Sequence, residues 1–373
     1  MSLSKRVELY QKIEAHRKRP LIVYVTSKRV GAFAMMSTEA IPYLIQQVDA
    51  LPNDAQGVDF LIASLGGDPM VAWRISSLLR QGARNHVSAL IPQSAYSAAT
   101  LVAFGANEIV MHPNGHLGPV DFQIRTQSAS FSTEDISAFL DFVRNNLKIT
   151  DQEHVRALFE ITCQEIGSLG IGFTARSSRL AMDMGANLLA LHMKEDAAKA
   201  KIRVIVDNMS RKFQSHGYPV NREEAQEIGL PVNRKSDPVL EGLMWDAWLL
   251  LEKEMKEREP FDPVCVLLNS AEAAKLLAPV PQLDVPLCAT ASAHYQTALK
   301  DLKTAVKNEI NPVDYDYTDA IVESSRCAFA HTVKGKILSH RTPDLQIRYN
   351  VLVKSSAWEN LSGRAPRKEK KAS

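Results

Sequence analysis

The chain has 373 residues, of which 45% are hydrophobic and 23% charged, so a mainly disordered chain and a collagen-like fibre are both excluded. Its 44 basic and 42 acidic residues leave a net charge of +2, which gives no electrostatic case for binding nucleic acid. No run approaches the roughly 18 apolar residues of a membrane span, and the length suggests two domains.

The four cysteines, Cys163, Cys265, Cys288 and Cys327, are far apart and form no C-x-x-C pair, so neither a zinc site nor a disulfide framework is expected. The first twenty residues are charged and lack the apolar core of a signal peptide, and the expected location is the cytoplasm. Residues 362–373, with Arg364, Arg367, Lys368, Lys370 and Lys371, read as a solvated basic tail.

The first third alternates strands and helices. PLIVYVT (20–26), VDFLIAS (58–64), VSALI (87–91) and EIVM (108–111) are short apolar runs that read as buried strands. Between them Ile41, Leu44, Ile45, Val48 and Leu51 recur at helical spacing, Asp68-Pro69 opens a helix running to about Arg84, and SAATLVAFGA (97–106) is a third helix. This alternation predicts a parallel sheet covered on both faces.

After Asp121 the pattern becomes helical. Thr133 and Thr150 read as N-caps, the second with Glu153 in the capping-box position, each followed by about 15 helical residues. Residues 174–213 read as helix interrupted near Gly185 and Lys194. Asn221 with Glu224 caps a short helix, and Ser236-Asp237-Pro238 opens one carrying Trp245 and Trp248. Pro260 and Pro263 break the pattern, which divides the chain into 1–257 and a small α/β or α+β accessory domain at 258–361. The latter contains three β-like runs (VCVLLN, CAFAHTV, IRYNVLV) and one helix around 291–308.

Two strand-to-helix junctions carry candidate chemistry. In Ser64-Leu65-Gly66-Gly67-Asp68, paired glycines let main-chain N–H groups approach a ligand, although such a pair also serves as a plain tight turn. The segment lacks the lysine of a phosphate-binding loop and the third glycine of a dinucleotide fingerprint. In Pro92-Gln93-Ser94-Ala95-Tyr96-Ser97-Ala98-Ala99-Thr100, Ser97 falls at the start of a helix, where it either caps that helix or acts as a nucleophile.

SLGGDP, PQSAYSAAT and GANEIVMHPNGHLGPVD in that order, with KIEAHRKRPLIVYVTS before them and HGYPVNREEAQEIGLPV after, resemble the serine dehydrogenase proteinase family. That family is a branch of the ClpP-class serine peptidases within the ClpP/crotonase-like fold, and the likeness covers roughly residues 10–235. It implies an α/β core with a helical extension and a cofactor-free, ATP-independent hydrolase of peptides or unfolded segments that self-associates. It further implies Ser97 as nucleophile, Gly67 and Ala98 as oxyanion N–H donors, and Asp121 and His216 as the remaining triad members. An imidazole held by a carboxylate can take the serine proton, and chain order is free if geometry is kept.

Other readings stand beside these. Asp121 can cap a turn after Gly118-Pro119, and His216 can be a surface-loop histidine. His116 and His112 are rival bases, and a Ser–Lys dyad would draw on Lys194, Lys199, Lys201 or Lys212 if one were desolvated. The chain departs from its relatives in Leu65, where they commonly have Pro, and in Ala99, where they commonly have Gly. A crotonase-like acyl-CoA enzyme and an inactive scaffold are the alternatives to a peptidase.

Overall fold

The computed structural model describes residues 3–82, 86–120, 124–125, 130–131, 133–195, 197–213, 215–277, 295–297, 300–301, 310–342 and 346–362. The chain opens with α1 (Leu3–Arg17), β1 (Leu21–Thr26), α2 (Ile41–Asp49), β2 (Val58–Ala63) and α3 (Pro69–Gly82). Next come β3 (Val87–Ile91), the two-residue β4 (Ser94–Ala95), α4 (Ala98–Phe104), β5 (Glu108–Met111) and the two-residue β6 (His116–Leu117). All four apolar runs are therefore strands. β1, β2, β3 and β5 pair in parallel, Leu21 opposite Asp59, Val58 opposite Val87 and Ser88 opposite Glu108.

Alternation within each strand decides which face a side chain joins. Ile22, Tyr24, Phe60, Ile62, Ala89 and Ile91 pack with residues of α2, α3 and α4 on one face. Leu21, Val23, Val25, Leu61, Ala63 and Leu90 meet α1 on the other, together with α10, defined below. Every residue of β1, β2 and β3 is buried, as a sheet covered on both sides requires.

A short hairpin, β7 (Ile124–Arg125) with β8 (Ser130–Phe131), leads into α5 (Thr133–Asp141), α6 (Gln152–Ile166), α7 (Ser168–Ala190), α8 (Ala198–Asp207), α9 (Arg222–Ile228) and α10 (Pro238–Met255). Some expected boundaries are corrected. Asp151, not Thr150, caps α6, accepting from the N–H groups of Glu153 and His154, because its carboxylate reaches both. α7 runs unbroken through Gly185 and ends at Ala190. Asn221 and Glu224 form the capping box of α9, and Asp237 caps α10 by accepting from Leu240 N–H.

The larger correction concerns the last third. VCVLLN is not a strand but part of α11 (Pro263–Leu268), since Asp262 accepts from Val264 N–H and Pro263 sits at the first helical position. It is followed by α12 (Ala273–Leu276), β9 (Val313–Glu323), β10 (Ala328–Arg341) and β11 (Ile347–Asn360). β9 pairs antiparallel with β1, Val23 opposite Glu323, so one seven-stranded sheet runs β11-β10-β9-β1-β2-β3-β5. Among the described residues, the strands within 258–361 join the core sheet through β1. Most of the helix expected at 291–308, like the basic tail, Cys288 and Asp121, lies outside the described residues. No helix among the described residues is long and apolar enough to cross a membrane.

Candidate active site

Beyond the carboxyl ends of β1, β2 and β3 the backbone crosses itself several times. Ser64 N–H donates to Ser94 O at 2.9 Å and Tyr96 N–H to Ser64 O at 3.0 Å, which fastens the segment before Ser97 to the segment before the glycines. Met36 N–H donates to Gly66 O at 2.8 Å, and Asp68 N–H donates back to Met36 O at 3.1 Å. Ser64 Oγ, 2.6 Å from Thr26 Oγ1, also accepts from Gly66 N–H at 3.0 Å.

Both glycines are required here. Gly66 has φ +99°, and a Cβ on it would lie 2.6 Å from Tyr96 O and 2.7 Å from Ser97 Cβ. A Cβ on Gly67 would lie 2.4 Å from Met36 O. The N–H groups of Gly67 and Ala98 donate to no acceptor among the described residues.

Ser97 sits at φ +53°, ψ −116°, a conformation unfavourable for a residue with a Cβ, on a turn between β4 and α4. Its hydroxyl does not cap α4. Thr100 Oγ1 holds the turn from behind, 2.7 Å from Ala95 O and 2.9 Å from Gly118 O. Ala99, within α4, is fully buried in the core.

Ser97, Gly67 and His216 line a single cavity of about 790 Å³. Its other walls include Phe33, Met35, Leu65, Leu101, Val120 and Ala181, so it is mainly apolar. Burial pushes the phenol of Tyr96, also on the wall, above its ordinary range. His216 arrives on the loop between α8 and α9. Val220 bridges Leu117 there, Val120 N–H donates to Met209 O at 2.9 Å, and the ring of Tyr218 stacks on Phe213 at 4.5 Å.

The structure brings Ser97, Gly67 and His216 to one cavity, with the free Ala98 N–H beside Ser97. Asp121 lies outside the described residues, and its neighbour Val120 lines the cavity. The rival bases stand elsewhere. His112 stacks on Trp245 of α10 at 4.8 Å and its Nδ1 accepts from Asn114 N–H, while burial holds its imidazole below the ordinary pKa. His116 lies in β6 opposite Ser94 and does not line the cavity. Lys194, Lys199, Lys201 and Lys212 are exposed, without the desolvation a lysine base needs. Sequence reasoning missed Met36, which clamps the glycine turn, and the walls Phe33, Met35 and Ala181. An apolar run, FAMM, in an otherwise irregular stretch was the signal available for the first three.

A serine on a strained strand-to-helix turn, with free main-chain N–H groups and an imidazole at the same cavity, is the kind of site that serine acyl-transfer enzymes use. Residues 2–156 match the family described as ClpP-like SDH-type serine proteinase, which bears out the resemblance over that part of the chain and supports a serine peptidase kind. Two uncharacterized proteins of Methanocaldococcus jannaschii are 24% and 22% identical to the chain, over 61% and 62% of it and 73% and 72% of their own lengths. Among solved structures, a membrane-bound stomatin-specific protease superposes with a TM-score of 0.33 at 14% identity, covering 64% of this chain and 86% of that one. A probable enoyl-CoA hydratase/isomerase from Mycobacterium abscessus gives 0.29 at 15% identity over 78% of this chain and 89% of its own. Superpositions this loose say nothing about activity.

Proposed function

We propose that the protein is a cytoplasmic, ATP-independent serine peptidase that hydrolyses peptide bonds by acyl transfer through Ser97, needing no metal or cofactor. The observation that carries this reading is the conformation of Ser97: a strained backbone that presents the hydroxyl at an apolar cavity instead of spending it on a helix cap.

In this reading Ser97 Oγ attacks the scissile carbonyl while His216 takes its proton, then returns it to the leaving amine. Asp121 orients the imidazole. The N–H groups of Gly67 and Ala98 meet the oxyanion, a contribution of about 2.7–4 kcal/mol per donor. The apolar walls suit an apolar substrate side chain, and a near-neutral chain fits peptides better than polyanions.

The test is fluorophosphonate labelling with the adduct located by peptide mapping, alongside turnover of an unfolded protein substrate. The adduct is expected on Ser97 and absent from Ser97→Ala, with turnover abolished. His216→Ala should slow both by about 10²- to 10⁴-fold, the usual range for a lost general base. Undiminished proteolysis by the Ser97→Ala protein would overturn the assignment.

A further inference from the structure

A second serine, on the outer strands of the sheet, stands at the end of a hydrogen-bonded chain that the peptidase reading does not use. Asp319 Oδ1 lies 2.5 Å from His331 Nδ1, and His331 Nε2 lies 3.1 Å from Ser356 Oγ. The three residues come from β9, β10 and β11 in turn.

Two irregularities in the ladder produce this arrangement. Between His331 and Thr332 the register with β9 shifts, His331 opposing Ala320 and Thr332 opposing Thr318, so Asp319 has no partner on β10. Between Lys334 and Gly335 the register with β11 shifts as well, which leaves Lys354 out of the pairing. Bulges of this kind re-aim side chains that a regular ladder would hold elsewhere. Asp319 and His331 are largely shielded, each side chain 12% exposed, whereas Ser356 is open to solvent. His331 also rests against Trp358, its ring 5.6 Å away, and Trp358 stacks on Tyr43. The ring is therefore held by packing as well as by its two hydrogen bonds.

We propose that Ser356, His331 and Asp319 form a second activated-serine centre, separate from Ser97, that reacts with activated esters bearing short apolar acyl groups. Asp319 fixes the imidazole with its proton on Nδ1, so Nε2 accepts from Ser356. Ser356 Oγ attacks the ester carbonyl as its proton passes to Nε2. The tetrahedral adduct collapses with loss of the alcohol, which takes that proton, and water attacking through the same imidazole releases the acid. Ester and water are consumed, acid and alcohol are formed, and no other reactant is needed. The apolar acyl group is argued from Trp358 beside His331 and from Val351 and Val353, which share this face through their pairing with Ile337 and Gly335 and are exposed. Lys354, two residues before Ser356 in sequence, is exposed.

Ser355 provides an internal control. It is exposed, adjacent, opposite Lys334, and on the other face of the strand. The experiment uses the full-length Ser97→Ala protein, a fluorophosphonate probe with peptide mapping, and p-nitrophenyl butyrate turnover. Adduct should form on Ser356 about a hundredfold faster than on Ser355, the lower end of general-base catalysis. Ser356→Ala and His331→Gln should each abolish that excess and the ester turnover, with circular dichroism unchanged. Adduct on Ser356 no faster than on Ser355, or a rate unaffected by His331→Gln, would reject the centre. Since the adduct is mapped to a residue, failure here is separate from failure of the Ser97 assignment.

Discussion

At the scale of single residues, the turn of Gly66 and Gly67 is the least substitutable part of the site. A methyl group at position 67 meets main-chain atoms of Met36, which cannot swing aside as a side chain would. Gly67→Ala is therefore expected to displace the turn and misplace one oxyanion donor, costing about 10²- to 10³-fold in turnover. Measured kcat should fall with the adduct still formed on Ser97, though slowly; unchanged kcat would exclude the Gly67 N–H from the oxyanion role. The sequence made these glycines and Ser97 visible because their order between strands and helices is local. It could not show that Ser97 leaves its helix uncapped, which depends on a backbone angle. Nor could it show that Met36 closes the turn, which depends on a parallel bridge between segments thirty residues apart.

Among the elements, the loop between α8 and α9 decides where His216 stands. Its carboxyl end is tied to α9 by Glu224, whose side chain accepts from Asn221 N–H at 3.1 Å and from the Tyr218 hydroxyl at 2.7 Å. Glu224→Ala removes both ties at a half-buried position. It should cost about 1 kcal/mol of stability as a lost cap partner, yet lower kcat by more than that loss explains, because the loop around His216 is freed. Glu224→Gln, which can still accept, should recover most of the activity. The hydrogen bond between β9 and β10 gives a pH prediction. Asp319 raises the pKa of His331 above its ordinary value of 6.5, chiefly by hydrogen bonding to the charged ring. A group with a raised folded-state pKa stabilises the fold fully below its unfolded value, and that contribution is lost as pH rises through the folded value. The melting temperature should fall as pH climbs past 6.5, and His331→Gln should flatten that slope. Short-range capping signals such as Asn221 with Glu224 were legible in the sequence. VCVLLN was not, because a six-residue apolar run fits strand or helix equally until its Asp-Pro start is weighed.

For the molecule as a whole, the placement of β9 beside β1 changes what residues 258–361 are for. Composition and the proline pair near 260 read as a boundary because they mark where the chain leaves α10, but the chain then returns to the sheet it started. Its return is fixed by charge as well as by pairing. Arg6 of α1, 2% exposed, donates to Glu323 of β9 at 2.6 Å and 3.0 Å and to Glu254 of α10 at 2.8 Å. The buried hydroxyl of Tyr10 donates to Glu323 at 2.5 Å. Removing one partner of such a pair leaves the other charge buried and uncompensated, at a cost of about 3–5 kcal/mol. Arg6→Ala should therefore destabilise the protein by about that amount in urea unfolding, while Ser97 chemistry in the surviving folded fraction stays normal. Truncation after residue 262 goes further: it strips β1 of its β9 partner and exposes the edge formed by Val23, Tyr24 and Val25. A separate accessory domain would leave residues 1–262 folded, with a cooperative melt and a labelled Ser97. A single sheet shared by both ends of the chain predicts instead that the truncated protein aggregates or melts without cooperativity, and that adding residues 313–360 back restores folding.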